Sequence, residues 1–411
     1  MPIPQHHEIV VIGAGIAGAT IANEFLARGH SVCVVDSASS PASACSSHAY
    51  AIAHPHIGRG SPRLLRLTRI AFLLAEARWG KQWHQHGIFQ PTKKDRGFDR
   101  VELEQHLQAL GLDGEMAKPL DAKEALVLCG IQQSGVWLPR GASLSLFDAA
   151  NELLQIHERL TTLWDTHISH LEARGDQWAL CDDSGTLMMT ASKVIIAAAM
   201  GTKPLMASIN VRLPLKPVRG QLSIFSINKN DAWVAHLPRV GISGDGYCLP
   251  AQALADGSYR WIVGSSFDEG EDDLQARDSS DQFNYEQAKG LVDLMAGDLP
   301  TLKVEDCFVG VRCVAGDRLP IIGALTQRPG IFLATALGSR GVLWSALAAK
   351  LIAAQALGDD FALLARLGLT ADLLAALAPA RFFAGALATP SALGALASNS
   401  KPILPSDPRA K

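Results

Sequence analysis

The chain has no Cys-x-x-Cys pair, and its seven cysteines (33, 45, 129, 181, 248, 307 and 313) are odd in number and widely scattered. A disulfide framework needs an even, closely spaced set, and a zinc site needs Cys and His at short fixed spacings. Neither pattern occurs, so no metal is expected and a reducing cytoplasm is the simplest home. An excess of charge of one sign is also missing: 37 Lys+Arg stand against 40 Asp+Glu, for a net charge of −3. Without a global cationic field, any contact with nucleic acid must come from a local patch. Nor is there an uncharged apolar run of the roughly 20 residues that a membrane span requires, because Lys350 interrupts the Ala/Leu-rich stretch near the end of the chain. The first apolar run, 9–22, follows a segment without Lys or Arg and contains three glycines, which does not read as a signal-peptide core. What remains is a chain of 411 residues, 48% hydrophobic and 19% charged, able to bury a large core and divide into two lobes.

Residues 8–12 form a short β-branched run, followed by three spaced glycines, an Ala/Ile/Phe/Leu pattern to Arg28, Gly29-His30, and a second β-branched run over 31–35. This order predicts β-α-β. Ser61-Pro62 marks the start of a helix running to Trp79, with Ser as N-cap and Pro at the first helical position. From about 79 to 140 the sequence is more polar and reads as loop-rich. A helix is expected over 145–160, then strands at 178–181 and 193–199. Short β runs at 221–225, 247–250 and 260–263 alternate with turns and predict a mostly antiparallel sheet. A last strand at 331–334 leads through a glycine-rich turn into a long Ala/Leu helix ending at Leu357.

Gly13, Gly15 and Gly18 spell G-x-G-x-x-G directly after a strand and at the opening of a helix. The first glycine permits the tight turn, the second lets the backbone approach a pyrophosphate, and the third allows close helix–strand packing. The helix N terminus then stabilises the anion. Asp36, at the end of the second strand, is placed to accept hydrogen bonds from ribose hydroxyls. Only one such fingerprint exists, so a second nicotinamide-binding unit is disfavoured and FAD is expected. The candidate cofactor contacts are Gly13, Gly15, Ile16, Ala17, Gly18 and Asp36, with Ala199 and Gly201 after the third strand and Gly338, Ser339 and Gly341 in the late turn.

Nucleotide-binding character thus appears three times, separated by two insertions. The expected fold is α/β, a Rossmann-like FAD-binding domain (1–80, 145–212 and 307–383) with an inserted, mostly antiparallel α+β substrate domain (81–144 and 213–306). Residues 384–411 read as a weakly ordered tail.

Five further motifs, Pro217-Val218-Arg219-Gly220-Gln221, Gly246-Tyr247-Cys248-Leu249-Pro250, Gly264-Ser265-Ser266-Phe267, Gly310-Val311-Arg312-Cys313 and Gly338-Ser339-Arg340-Gly341, lie in an order that resembles the D-amino-acid oxidase and glycine oxidase superfamily. Within it, the sequence is most similar to the FAD-dependent oxidoreductase domain of bifunctional tRNA 5-methylaminomethyl-2-thiouridine biosynthesis proteins. Residues 43–48 depart from that family's pattern, so no contact is carried over there. The resemblance implies removal of the carboxymethyl group from 5-carboxymethylaminomethyl-(2-thio)uridine at the tRNA wobble position, giving the 5-aminomethyl form and glyoxylate. The chain starts at the fingerprint, so the fused methyltransferase of that family is expected on a separate chain or a missing segment.

By motif position, the resemblance implies that Arg312 and Arg340 face the substrate carboxylate and that Tyr247 sets a phenol beside it; a guanidinium fork suits that geometry. Phe267 is read as core packing, His48, His54 and His56 as loop histidines, and Cys45 as a small residue in a tight loop. Arg59, Arg63, Arg66 and Arg69 form a basic face that reads either as an RNA contact or as a solvated surface or the neighbourhood of the FAD phosphates. Two alternatives stand beside the tRNA reading. One is an oxidase or dehydrogenase of a free amino acid (glycine, sarcosine or a D-amino acid); the other is a non-catalytic flavin-binding partner of a methyltransferase.

Overall fold

The computed structural model describes residues 5–58, 60–92, 97–112, 114–291 and 302–383, so Arg59 and the expected tail over 384–411 lie outside the described residues. An eight-stranded sheet is built around Gln5–Ile12, which pairs in parallel with Val32–Val35 on one side and Leu187–Ile196 on the other. Leu160–Leu163 extends the parallel run beyond Val32–Val35, and Ile331–Thr335 joins the far half of Leu187–Ile196. Ile9, Val10 and Val11 are fully buried, as continuous β-branched runs in a sheet covered on both faces must be. The helices Ile16–Ala27, Pro62–Trp79 and Gly341–Leu357 pack together on one face. Glu24, nearly fully buried among them, pairs with Arg78 at 3.2 Å, Arg28 at 3.0 Å and Lys350 at 2.8 Å, which neutralises the buried carboxylate.

The second sheet has ten strands and is antiparallel except where Gly241–Ser243 runs parallel to Ile88–Pro91. Its backbone is a ribbon of two long strands, Leu215–Ile227 and Lys303–Ala315, paired from Leu215↔Ala315 to Ser226↔Lys303. The expected α/β architecture with a mostly antiparallel second sheet is therefore present.

Three local expectations differ. The helix expected over 145–160 spans only Leu146–Leu153, because Leu160–Leu163 is taken as a sheet strand beside Val32–Val35. The strand expected over 193–199 ends at Ile196; Ala197 still donates to the Ile12 carbonyl at 2.8 Å, then Ala199 adopts φ +47° and turns the chain out of the sheet. The segment read as loop-rich carries the helices Arg100–Ala109 and Ala122–Cys129, the latter started by a reciprocal cap between Asp121 and Glu124 and stopped by Gly130 at φ +77°.

Candidate functional site

A cavity of about 860 Å³ runs along the carboxyl ends of the parallel strands and up under the second sheet. That volume and position suit a dinucleotide cofactor. Gly13, Gly15, Ile16, Ala17, Asp36, Ala199, Gly201, Gly338, Ser339 and Gly341 all line it, and so do Tyr247, Arg312 and Arg340. Gly18 does not line it. It packs behind the turn, where a Cβ would overlap the Gly13 carbonyl. Gly13 holds φ +103°, a left-handed geometry that permits the sharp turn from strand to helix.

At this end Asp36 accepts N–H bonds from Ala14 at 2.6 Å and from Ala38 at 2.9 Å, so both carboxylate oxygens are oriented by backbone. The Ser46 hydroxyl accepts the Ile16 N–H at 2.9 Å, at the helix N terminus where a pyrophosphate would be held. No sequence pattern pointed to Ser46; it lies in the 43–48 loop, and only the fold brings it to the helix.

The opposite end is built by the ribbon. Arg312 donates through Nη2 to the Ser265 hydroxyl at 2.6 Å and through Nη1 to the Ser266 carbonyl at 3.2 Å, and its guanidinium carbon lies 5.6 Å from the Phe267 ring centre. A longer contact reaches the Arg219 carbonyl at 3.5 Å. These contacts occupy Nη1 and Nη2 and none of them uses Nε, so the guanidinium keeps donor capacity for a carboxylate. Gly220 makes this pose possible, since a Cβ there would overlap the guanidinium. Arg219, its neighbour, is fully buried and pairs with Asp268 at 2.9 Å while also bonding the Asp273 carbonyl, Gln221 and Ser280. It thereby ties the 265–275 segment to the ribbon, a role the sequence reading did not assign.

Tyr247 reaches the same end, but its hydroxyl donates to the Tyr50 carbonyl at 3.1 Å, so the proton is not free for a second acceptor in this state. Burial pushes its phenol upward, with Arg312 opposing. Arg340 donates to His56 Nδ1 at 3.4 Å. His48, His54 and His56 lie in loop segments, as expected, and those segments border the cavity. His54 is fixed by Ser243 at its Nε2 and the Pro55 carbonyl at its Nδ1, both 2.9 Å, which makes it a neutral Nδ1–H tautomer. Burial lowers His54 to about 4, and burial together with Arg312 lowers His48 to about 4. Cys45 donates its thiol to the Val311 carbonyl at 2.7 Å, and burial pushes its pKa up. Phe267 is not core: it is 47% exposed and borders the cavity.

The basic face is smaller than expected. Arg66 donates to Thr370 at 3.2 Å and pairs with Asp372, and Arg69 donates to the carbonyls of Gly111 at 2.8 Å and Leu367 at 3.2 Å. Thr370 and Asp372, at the start of the helix Ala371–Leu377 that packs on Pro62–Trp79, engage Arg66, and Gly111 and Leu367 engage Arg69, while Arg63 is exposed at the first turn. Among the described residues, no helix is long and apolar enough to cross a membrane.

The family model for FAD-dependent oxidoreductases matches residues 8–355. The bifunctional tRNA 5-methylaminomethyl-2-thiouridine biosynthesis protein of Ralstonia nicotianae is 32% identical over 93% of this chain, and that of Burkholderia multivorans is 31% identical over 92%. The chain spans about three fifths of their length, at 61% and 59% respectively. Among solved structures, glycine oxidase from Geobacillus kaustophilus superposes with a TM-score of 0.71 at 19% identity, covering 87% of this chain and 96% of that one. L-proline dehydrogenase from P. horikoshii does so with a TM-score of 0.68 at 16% identity, covering 92% and 98%.

Proposed function

From the premise that the chain belongs to the FAD-dependent oxidoreductase family, and is thus a flavoenzyme, we propose that it oxidises the N-carboxymethyl group of 5-carboxymethylaminomethyl-(2-thio)uridine in tRNA. The reaction converts R–NH–CH₂–COO⁻, water and a two-electron acceptor into R–NH₂, glyoxylate and the reduced acceptor. The methylene C–H bond breaks with loss of a hydride, the amine loses a proton as the imine forms, and water adds to the carbon before the C–N bond cleaves. When bound, FAD supplies the acceptor for those two electrons.

The observation that carries this reading is the pose of Arg312. Its Nε, which none of these contacts uses, together with the donor capacity left on Nη2, would hold a carboxylate in the cavity that Tyr247 also lines and so fix the adjacent methylene. Arg340 adds a second cation to the lining of the same cavity. Gly13, Gly15, Ile16, Ala17, Asp36, Ala199, Gly201, Gly338, Ser339 and Gly341 would hold the cofactor, with Gly18 packing behind them. Neutral His54, held on both nitrogens, orients Ser243 rather than serving as a base. The curated relatives, whose names specify biosynthesis of 5-methylaminomethyl-2-thiouridine in tRNA, support the substrate class. Arg63 is the proposed RNA contact, and a methyltransferase on another chain or segment the proposed partner, which places the work in the cytoplasm. Residues 81–144 and 213–306 are proposed as the substrate domain.

The test is to incubate FAD-loaded protein with tRNA bearing carboxymethylaminomethyluridine, then digest and weigh the nucleosides. Conversion to the aminomethyl form with stoichiometric glyoxylate supports the proposal. Unchanged nucleosides alongside rapid oxidation of sarcosine or glycine would replace it with a free-amino-acid oxidase.

A further inference from the structure

Phe267 stands out among the described residues as the large apolar side chain that is both exposed, at 47%, and part of the cavity wall. Packing does not explain it, since full burial of such a ring is worth about 1.5–3 kcal/mol, of which a ring 47% exposed forgoes about half. Its backbone is nonetheless firmly held. Ser266 N–H bonds the Gln221 carbonyl at 3.2 Å, and Asp268–Glu269 pairs with the ribbon at Val218 and Arg219. A rigid mount, a half-exposed ring and the Arg312 guanidinium 5.6 Å over one of its faces together describe an aromatic surface presented beside the proposed carboxylate anchor, with the opposite face left for a ligand.

We propose that Phe267 is the stacking platform for the pyrimidine of the modified nucleoside, a proposal that rests on the function assigned above. In that substrate four bonds separate the carboxylate carbon from C5 of the base, about 5 Å when extended. Offset-stacked rings have centres some 4.5–7 Å apart. With the carboxylate on Arg312, the base therefore reaches Phe267 without either group leaving its partner. A single-stranded base turned out of its stack is read in this way, on an aromatic face with its edges left for polar contacts. Glycine and sarcosine have no ring to place there, so Phe267 contributes to recognition of the nucleoside and not of the small amino acids.

The experiment uses FAD-loaded full chain, its flavin content checked by absorbance, and an anticodon stem-loop RNA carrying carboxymethylaminomethyluridine. Phe267→Ala should raise KM for the RNA about tenfold, within the range for loss of one base–aromatic stack. The rate at saturating RNA should stay within twofold of the parent, because Arg312 keeps its bonds to Ser265 and Ser266. Phe267→Trp should restore KM and Phe267→Leu, apolar but without a π face, should not. Equal KM in Phe267→Ala and parent, rescue by leucine, or a fall in the saturating rate instead of KM would each overturn the stacking role while leaving the function standing. A parent enzyme that leaves the modified RNA unchanged would remove the function itself.

Discussion

Replacing Gly220 by alanine changes one methyl group and tests the anchor directly. In the ribbon Gly220 lies opposite Gly310, two pairs beyond Val218↔Arg312, and the Arg312 guanidinium crosses the space that a side chain at 220 would fill. A Cβ at 220 would fall well inside contact distance of Nη1, Nη2 and Cζ, whereas ordinary contact begins at 3.4 Å. The guanidinium must therefore move by about 1 Å, a misplacement that in an active site costs up to about a hundredfold in rate. The bonds to Ser265 and Ser266 break with it, while the phosphate and ribose end of the cavity is untouched. The expected result is FAD content equal to the parent and a 10- to 100-fold slower anaerobic bleaching of the flavin absorbance by saturating modified RNA. In the double variant Gly220→Ala/Arg312→Lys the losses should not add, because both act through one group. Parental bleaching rates in Gly220→Ala, or losses that add in full, would refute the argument.

Arg312→Lys alone keeps the charge but not the planar fork, so flavin reduction should slow at least about tenfold, equivalent to roughly 1.4 kcal/mol, with FAD retained; an unchanged rate would place the carboxylate elsewhere. Asp36→Ala removes the acceptor of two backbone N–H groups and of the proposed ribose contact, so FAD affinity measured by fluorescence quenching should weaken at least tenfold, about 1.4 kcal/mol, and equal affinity would contradict the assignment. Acid should destabilise the fold through His48 and His54. Both are held near 4 against an ordinary 6.5, so the unfolded chain takes up their protons first. Their contribution is complete above pH 6.5 and is lost as pH falls toward 4; the urea midpoint should drop over that window, and less steeply in His54→Gln.

The nucleotide half was legible because its signals are backbone requirements. Gly13 needs a positive φ and Gly18 cannot carry a Cβ, so the residues themselves spell the turn. The second sheet was legible only in outline, since strands such as Tyr247–Cys248 and Asp268–Glu269 are two residues long and too short to show a period. The cap Asp121-Ala122-Lys123-Glu124 was readable and marks a helix that the weak periodicity around it concealed. Phe267, Gly220 and the three histidines take their meaning from distant partners. Phe267 meets Arg312 across 45 positions of chain, and no local pattern distinguishes a ring at a cavity mouth from one in a core. Arg66 and Arg69 fail in the converse way: their spacing describes a basic face, but the acceptors that occupy them come from Gly111 and from 367–372.

The two-stranded ribbon has a mechanical consequence. Leu215, Cys313 and Ala315 at one end belong to the apolar core beneath the parallel sheet, while Phe225 and Ile227 at the other belong to the core of the second sheet. One ladder of backbone bonds thus crosses between the two lobes, with a single register shift between Ile224 and Phe225, and a twisted β-ribbon bends far less readily than a loop hinge. Rotating one lobe away from the other would break that ladder at the stretch that carries Arg312. Entry of the proposed RNA substrate would then come from loop displacement at the rim, with the anchor stationary throughout. In hydrogen exchange, the amides of 218–224 and 307–312 should be among the slowest in the chain, whether or not substrate is bound.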